Sequence, residues 1–180
     1  MIMSELRIVG LDLSITATGV CEADGTRSTW GGDAKHGDRR LCKIKKAVEF
    51  AAVTSRANLV MIEDLPRGGM GGATTGMVQG VVRELLTSAG IPYMFIIPSK
   101  LKVYATSRGT ATKSDMRMSL FQRFNIDEPD DNRADAWWLR ALGCDLYDQP
   151  LTQANGSIYL PQSHRRALDK LVKVEPRIWT

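Results

Sequence analysis

Two acidic residues interrupt apolar runs where an ionised side chain is hard to accommodate. Asp12 lies between Leu11 and Leu13 at the end of a β-rich stretch and is followed by the hydroxyl-rich turn "LSITATGV". Glu63 stands where the run "NLVMIEDL" stops being apolar. A carboxylate in a buried strand is costly unless it is paired or bound to metal. The plain alternatives are an Asp12 that caps its own turn and a Glu63 held in a strand-end ion pair. Asp64 is the weaker candidate, because successive side chains of a strand point to opposite faces. A third acidic segment, "DDNRADAWWL", reads as the start of a helix. There Asp131 and Asp135, four apart, share a face, and Asn132, three before Asp135, nearly does. First-turn acids also suit the positive end of a helix dipole. Together the three segments would form a pocket of oxygen donors without sulfur or imidazole, which suits Mg²⁺ or Mn²⁺. Two such ions about 3.5–4 Å apart can activate water and stabilise the leaving oxygen of a phosphodiester.

The elements that would position these acids follow from periodicity. Residues 6–13 form a buried strand, and 19–23 and 26–30 flank the hairpin signal Asp24-Gly25, so an antiparallel meander is predicted. From 38 to about 57, Leu41, Ile44, Val48, Phe50, Ala51 and Val53 recur at helical spacing. Strand 58–65, a glycine-rich loop over 66–76, a helix over about 74–89 and a strand in "IPYMFIIP" come next. A helical turn near 99–104, a helix capped by Thr112 or Ser114, and a core helix carrying Trp137 and Trp138 complete the order βββαβαβαα. The expectation is an α/β domain of RNase H-like order: a mixed five-stranded sheet, its first three strands antiparallel, flanked by helices. Residues 1–148 are predicted to form that domain, and 149–180 an extension with a short basic helix.

With 24 Lys+Arg against 20 Asp+Glu, the formal charge is +4 and the sequence pI about 9.1. If four clustered acids are neutralised by metal, the remaining surface is more basic still and better matched to a polyanion. Lys100, Lys102, Arg108 and Lys113, with Tyr104 among them, suit a phosphate backbone with occasional stacking. Cys21, Cys42 and Cys144 are far apart and read as reduced, buried thiols. No secretory leader is evident and no window approaches the roughly 20 apolar residues of a membrane span. A cytoplasmic protein is expected.

The stretches "GLDLSITATGV", "MIEDLP", "KVYATSRGTATKSDM" and "DNRADAWWL" resemble the successive motifs of RuvC-type Holliday junction resolvases, particularly short bacteriophage versions. The resemblance runs from about Leu6 to Leu142. It implies a homodimer making paired nicks in a four-way junction, with two Mg²⁺ (or Mn²⁺) at each site. It maps the family's acids onto Asp12, Glu63 and Asp135. Where the family has an acid or His three residues before the last Asp, this chain has Asn132, so Asp131 is expected as the fourth ligand. DNA-binding lysines of the family match Lys102 and Lys113. The family's junction-centre loop carries an aromatic, where this chain offers Arg67 and Met70. Two other readings compete: a non-catalytic branched-DNA-binding module of the same fold, and an actin-like or sugar-kinase-like ATPase fragment. For the latter, 180 residues leave no room for a second phosphate-binding half.

Overall fold

The computed structural model describes residues 6–65 and 72–179. Five strands form one sheet in the order β3-β2-β1-β4-β5: β1 Ile8–Asp12, β2 Ala17–Cys21, β3 Arg27–Gly31, β4 Leu59–Glu63 and β5 Tyr93–Ile96. The first three are antiparallel neighbours, while β4 pairs parallel with β1 and β5 parallel with β4. This is the mixed sheet with a leading meander that the sequence predicts. The hairpin between β2 and β3 turns at Gly25, whose φ of +92° suits a residue without a Cβ.

Strand parity sorts the core into two layers. Val9, Leu11, Val60 and Ile62 face helices α1 (Arg39–Val48) and α2 (Gly72–Ser88). Ile8, Leu59 and Met61 face the opposite layer, made by α3 (Pro98–Thr106), α4 (Lys113–Phe124) and α5 (Asp131–Leu146). By the same parity Asp12 and Glu63 fall on the α5 face. The helix α1 passes into a wider π-helical run, Glu49–Thr54, which shifts the angular register. Phe50, expected in the core, is therefore 58% exposed.

Local chemistry explains the helix starts. Thr112 and Asp115 form a reciprocal capping box at α4. Asp130 caps α5 by accepting from the N–H groups of Asn132 at 2.9 Å and Arg133 at 3.1 Å. The helix α5 is enclosed between the sheet and α3/α4, and is buried almost continuously from Ala134 onwards. Trp138 is fully buried and donates through Nε1 to the Met116 carbonyl at 3.1 Å.

Three glycines let α5 lie directly on the strands. A Cβ at Gly10 in β1 would run into the Ala136 carbonyl and Arg140 amide, and one at Gly19 in β2 into the Asn132 carbonyl. On the helix side, a Cβ at Gly143 would meet Met61 and Ile8 at under 3 Å. After α5 the chain folds back over this layer through α6 (Gln162–Arg165) and a 3-10 turn, Arg166–Leu168. Leu160 and Ala167 are buried in it, with Leu151, Leu168, Leu171 and Val174 packed alongside.

A Gly10→Ala substitution is expected to lower stability by more than about 2 kcal/mol, since two backbones would have to separate. Gly80→Ala in α2, where a Cβ meets nothing, should be neutral or stabilising by up to about 1 kcal/mol. Urea denaturation of the two variants checks the contrast.

Candidate active site

The last paired residues of β1 and β4 are Leu11 and Ile62, so Asp12 and Glu63 are the next step of two adjacent parallel strands. In the other direction Asp12 pairs with Gly19, the residue over which the Asn132 backbone passes. This contact and the one at Gly10 straddle Asp135 and seat it over the same strand ends. Asp12 is only 8% exposed. The turn after β1 is closed without it: Ser14 N–H donates to Thr18 Oγ1 at 3.0 Å, and Thr18 Oγ1 donates to the Ser14 carbonyl at 2.6 Å. Behind β4, the buried Gln79 donates through Nε2 to the Glu63 carbonyl at 3.3 Å.

The electrostatics are those of crowded acids. Burial raises all three carboxyls above the usual range. For Glu63 the nearby negative charges of Asp12 and Asp135 add to the effect of burial. Asp135 is pushed up to about 7 by burial and then by Asp12. Lys113 opposes the rise at each of the three, and Lys102 does so at Asp135. Among the described residues, however, no cation comes within ion-pair distance of Asp12, Glu63 or Asp135. A buried, all-oxygen donor set lacking its own counter-charge has the chemistry that a hard divalent cation takes. As the side chains stand, no three His, Cys, Asp or Glu among the described residues surround one point at ligand distance.

The structure does not bring Asp131 into the trio. Its carboxylate faces Arg117 Nε at 3.1 Å, without hydrogen-bond alignment, and Lys113 Nζ at 4.0 Å. It reaches Asp135 only as a neighbouring negative charge. The first turn of α5 points it toward α4, so sharing a helical face with Asp135 did not translate into sharing a site.

The expected nucleic-acid residues divide. Lys113 is exposed beside the trio, and Lys102 on α3 is half-buried within electrostatic reach of Asp135. Arg108 is exposed and pairs with Asp115 at 3.1 Å. Lys100 is turned the other way: its Nζ donates to the Ala167 and Asp169 carbonyls at 3.2 and 2.6 Å, tying α3 to the C-terminal turn. Tyr104 is a correction. It is 3% exposed, its ring packs edge-on to Trp138, and its hydroxyl donates to the Ala141 carbonyl at 3.1 Å. A side chain so committed cannot stack on a base. Arg67 and Met70 lie outside the described residues, as does most of the glycine-rich loop. Cys21 and Cys144 are buried as expected, whereas Cys42 is exposed on α1.

Arg117 was missed from the sequence. It stands four residues after Lys113, hence on the same face of α4. That spacing, set beside an acid-rich helix start, was the signal that could have found it.

No protein-family model matches the chain, and no curated protein sequence does. Solved structures do. A structure of Thermus thermophilus RuvC superposes with a TM-score of 0.63 at 18% identity, covering 75% of this chain and 91% of that one. T. thermophilus RuvC in complex with a Holliday junction substrate gives 0.60 at 18% identity, covering 80% and 95%. The chain therefore has the RuvC, RNase H-like fold.

Because the trio binds protons more tightly folded than unfolded, stability should fall as pH rises from about 4 to about 8. The sign follows from carboxyls raised by folding: below this window both states are protonated, and above it only the folded state bears the repulsion. Asp135→Asn should flatten this slope and stabilise the protein at about pH 8 by at least about 1 kcal/mol. Thermal melts in chelator across that range test it.

Proposed function

We propose that the chain is a structure-selective, divalent-metal-dependent endonuclease that cleaves four-way junctions and related branched DNA. The observation that carries this reading is the convergence of Asp12, Glu63 and Asp135, from two strands and a helix, without a counter-cation of their own among the described residues. The shared fold with RuvC, one structure of which holds a Holliday junction, supports it.

In this reading Asp12, Glu63 and Asp135 hold Mg²⁺ or Mn²⁺, singly or as a pair. The metal would supply Lewis acidity at the scissile phosphate and a nucleophilic water at neutral pH. The residues themselves do the placing. Asp12 stands between the other two elements and contributes to both sides of the site. Glu63 must lose its proton before it can ligate, so acid conditions oppose activity. Lys113 and Lys102 sit at the rim, where a cation draws a phosphate backbone toward the acids and offsets their repulsion. Asp131 holds Lys113 and Arg117 on that rim, a positioning role in place of the ligand role expected for it. Two nicks in opposing strands need two sites, which a homodimer supplies.

Asp12→Asn and Glu63→Gln are each expected to reduce Mg²⁺-dependent cleavage of a synthetic four-way junction by at least about a thousandfold, with junction binding retained. Full activity in either variant would remove the metal-site assignment, and binding without cleavage by the wild type would leave a non-catalytic module. Asp131→Asn should keep measurable cleavage, and loss equal to that of Asp12→Asn would restore Asp131 to the ligand set. Lys113→Ala should weaken binding and lower the log–log salt slope by about 0.9; titrations at several salt concentrations read this directly.

A further inference from the structure

We propose that the pocket between α3, α4 and the C-terminal turn is a second phosphate site for the DNA backbone, formed by Arg108 and Arg123 and completed by Arg166. The proposal rests on the reading of the chain as a branched-DNA nuclease. The pocket, about 180 Å³, is lined by Thr106, Arg108, Asp115, Gln122, Arg123 and His164 among others.

Arg123 is half-buried, yet its partners are neutral. Its Nη1 donates to Gln153 Oε1 at 3.3 Å and its Nη2 lies 2.8 Å from His164 Nε2. A guanidinium can only donate, so His164 Nε2 accepts, and the imidazole is neutral with its proton on Nδ1, which donates to the Tyr104 carbonyl at 2.9 Å. Among the described residues no carboxylate comes within ion-pair reach of Arg123 or Arg166. The acid that does line the pocket is committed: Asp115 accepts from Thr112 N and Oγ1, each at 2.8 Å, and faces Arg108 at 3.1 Å. A desolvated guanidinium without a carboxylate is the group a phosphate oxygen satisfies best.

The turn that brings Arg166 there is held on every inward side. His164 is 4% exposed, Arg165 pairs with the buried Asp145 at 3.1 Å, and Lys100 accounts for the Ala167 and Asp169 carbonyls. Arg166 faces outward. It spends one hydrogen on the Ser107 carbonyl at 2.7 Å, between the pocket residues Thr106 and Arg108, and keeps its charge uncompensated. Ten residues of α4 separate Lys113 from Arg123, about 15 Å along the helix axis. That span along the axis is about four or five base-pair rises, which spaces the two sites within the length of one DNA arm.

The test is binding of a synthetic four-way junction to the full chain in chelator, followed across salt concentration, for wild type, Arg166→Ala, Arg166→Lys and Arg123→Gln. Arg166→Ala and Arg123→Gln should each lower the slope by about 0.9 and weaken affinity about three- to tenfold at 0.1 M salt. Arg166→Lys should keep the wild-type slope, because charge rather than the Ser107 hydrogen bond is what matters. An unchanged slope in Arg166→Ala, or an equal drop in Arg166→Lys, overturns the proposal. If wild type binds junctions in chelator and cleaves them in Mg²⁺ but the slopes do not move, this site alone is rejected. If wild type binds no branched DNA, the nuclease reading falls with it.

Discussion

The molecule is organised around the direct contact of α5 with β1 and β2. A helix normally rides on a sheet with a layer of side chains between them, about 10 Å from axis to strand. At Gly10 and Gly19 that layer is missing, and the helix backbone at Ala136 and Asn132 occupies the space a Cβ would need. The helix is thereby fixed in both height and register. Asp135 has no freedom to stand off from Asp12, and the repulsion among the acids is imposed by packing that involves none of them.

That arrangement stores unfavourable electrostatics within a well-packed frame. Lys113 is near enough to temper the acids and too far to pair with them, because its ammonium is drawn toward Asp131, which also faces Arg117. The three charges on the rim form a unit in which the anion restrains the cations. A closer ion pair with Asp12 or Asp135 would relieve that repulsion.

Much of this was legible in the residues. Asp12 and Glu63 each ended an apolar run, and strand parity put them on one face once the strands proved parallel neighbours. The leading antiparallel meander, a helix cap at Thr112 or Ser114 and the burial of Trp137 and Trp138 followed from local pattern. What was not legible depended on rotation of helices about their axes. Tyr104 sits among four cations in sequence, but α3 turns it inward against Trp138 while Lys102 faces out. Asp131 and Asp135 share a helical face in projection, yet the Asp131 carboxylate faces Arg117 and Lys113 of α4. Phe50 was misplaced by the π-helical widening, which no periodicity of 3.6 anticipates. Arg123 and His164 are 41 residues apart, so their pairing is a product of tertiary structure alone.

The last residues of the chain leave the α5 layer and cross to the other side of the sheet. Val174 packs with the α3–α5 layer and its carbonyl accepts from the Tyr147 hydroxyl at 2.6 Å. Five residues later Trp179 packs with the α1/α2 layer and donates through Nε1 to the Ala57 carbonyl at 2.9 Å. Between them Arg177 N–H donates to the Asn58 carbonyl at 2.9 Å, and its guanidinium lies over the Trp179 ring, 3.8 Å from the centroid. The tail thus laces the two layers together from outside, as β1 and β4 join them from within. Amide exchange in α2 and in α5 should then report a single cooperative opening, since neither layer can loosen without first unlacing the tail.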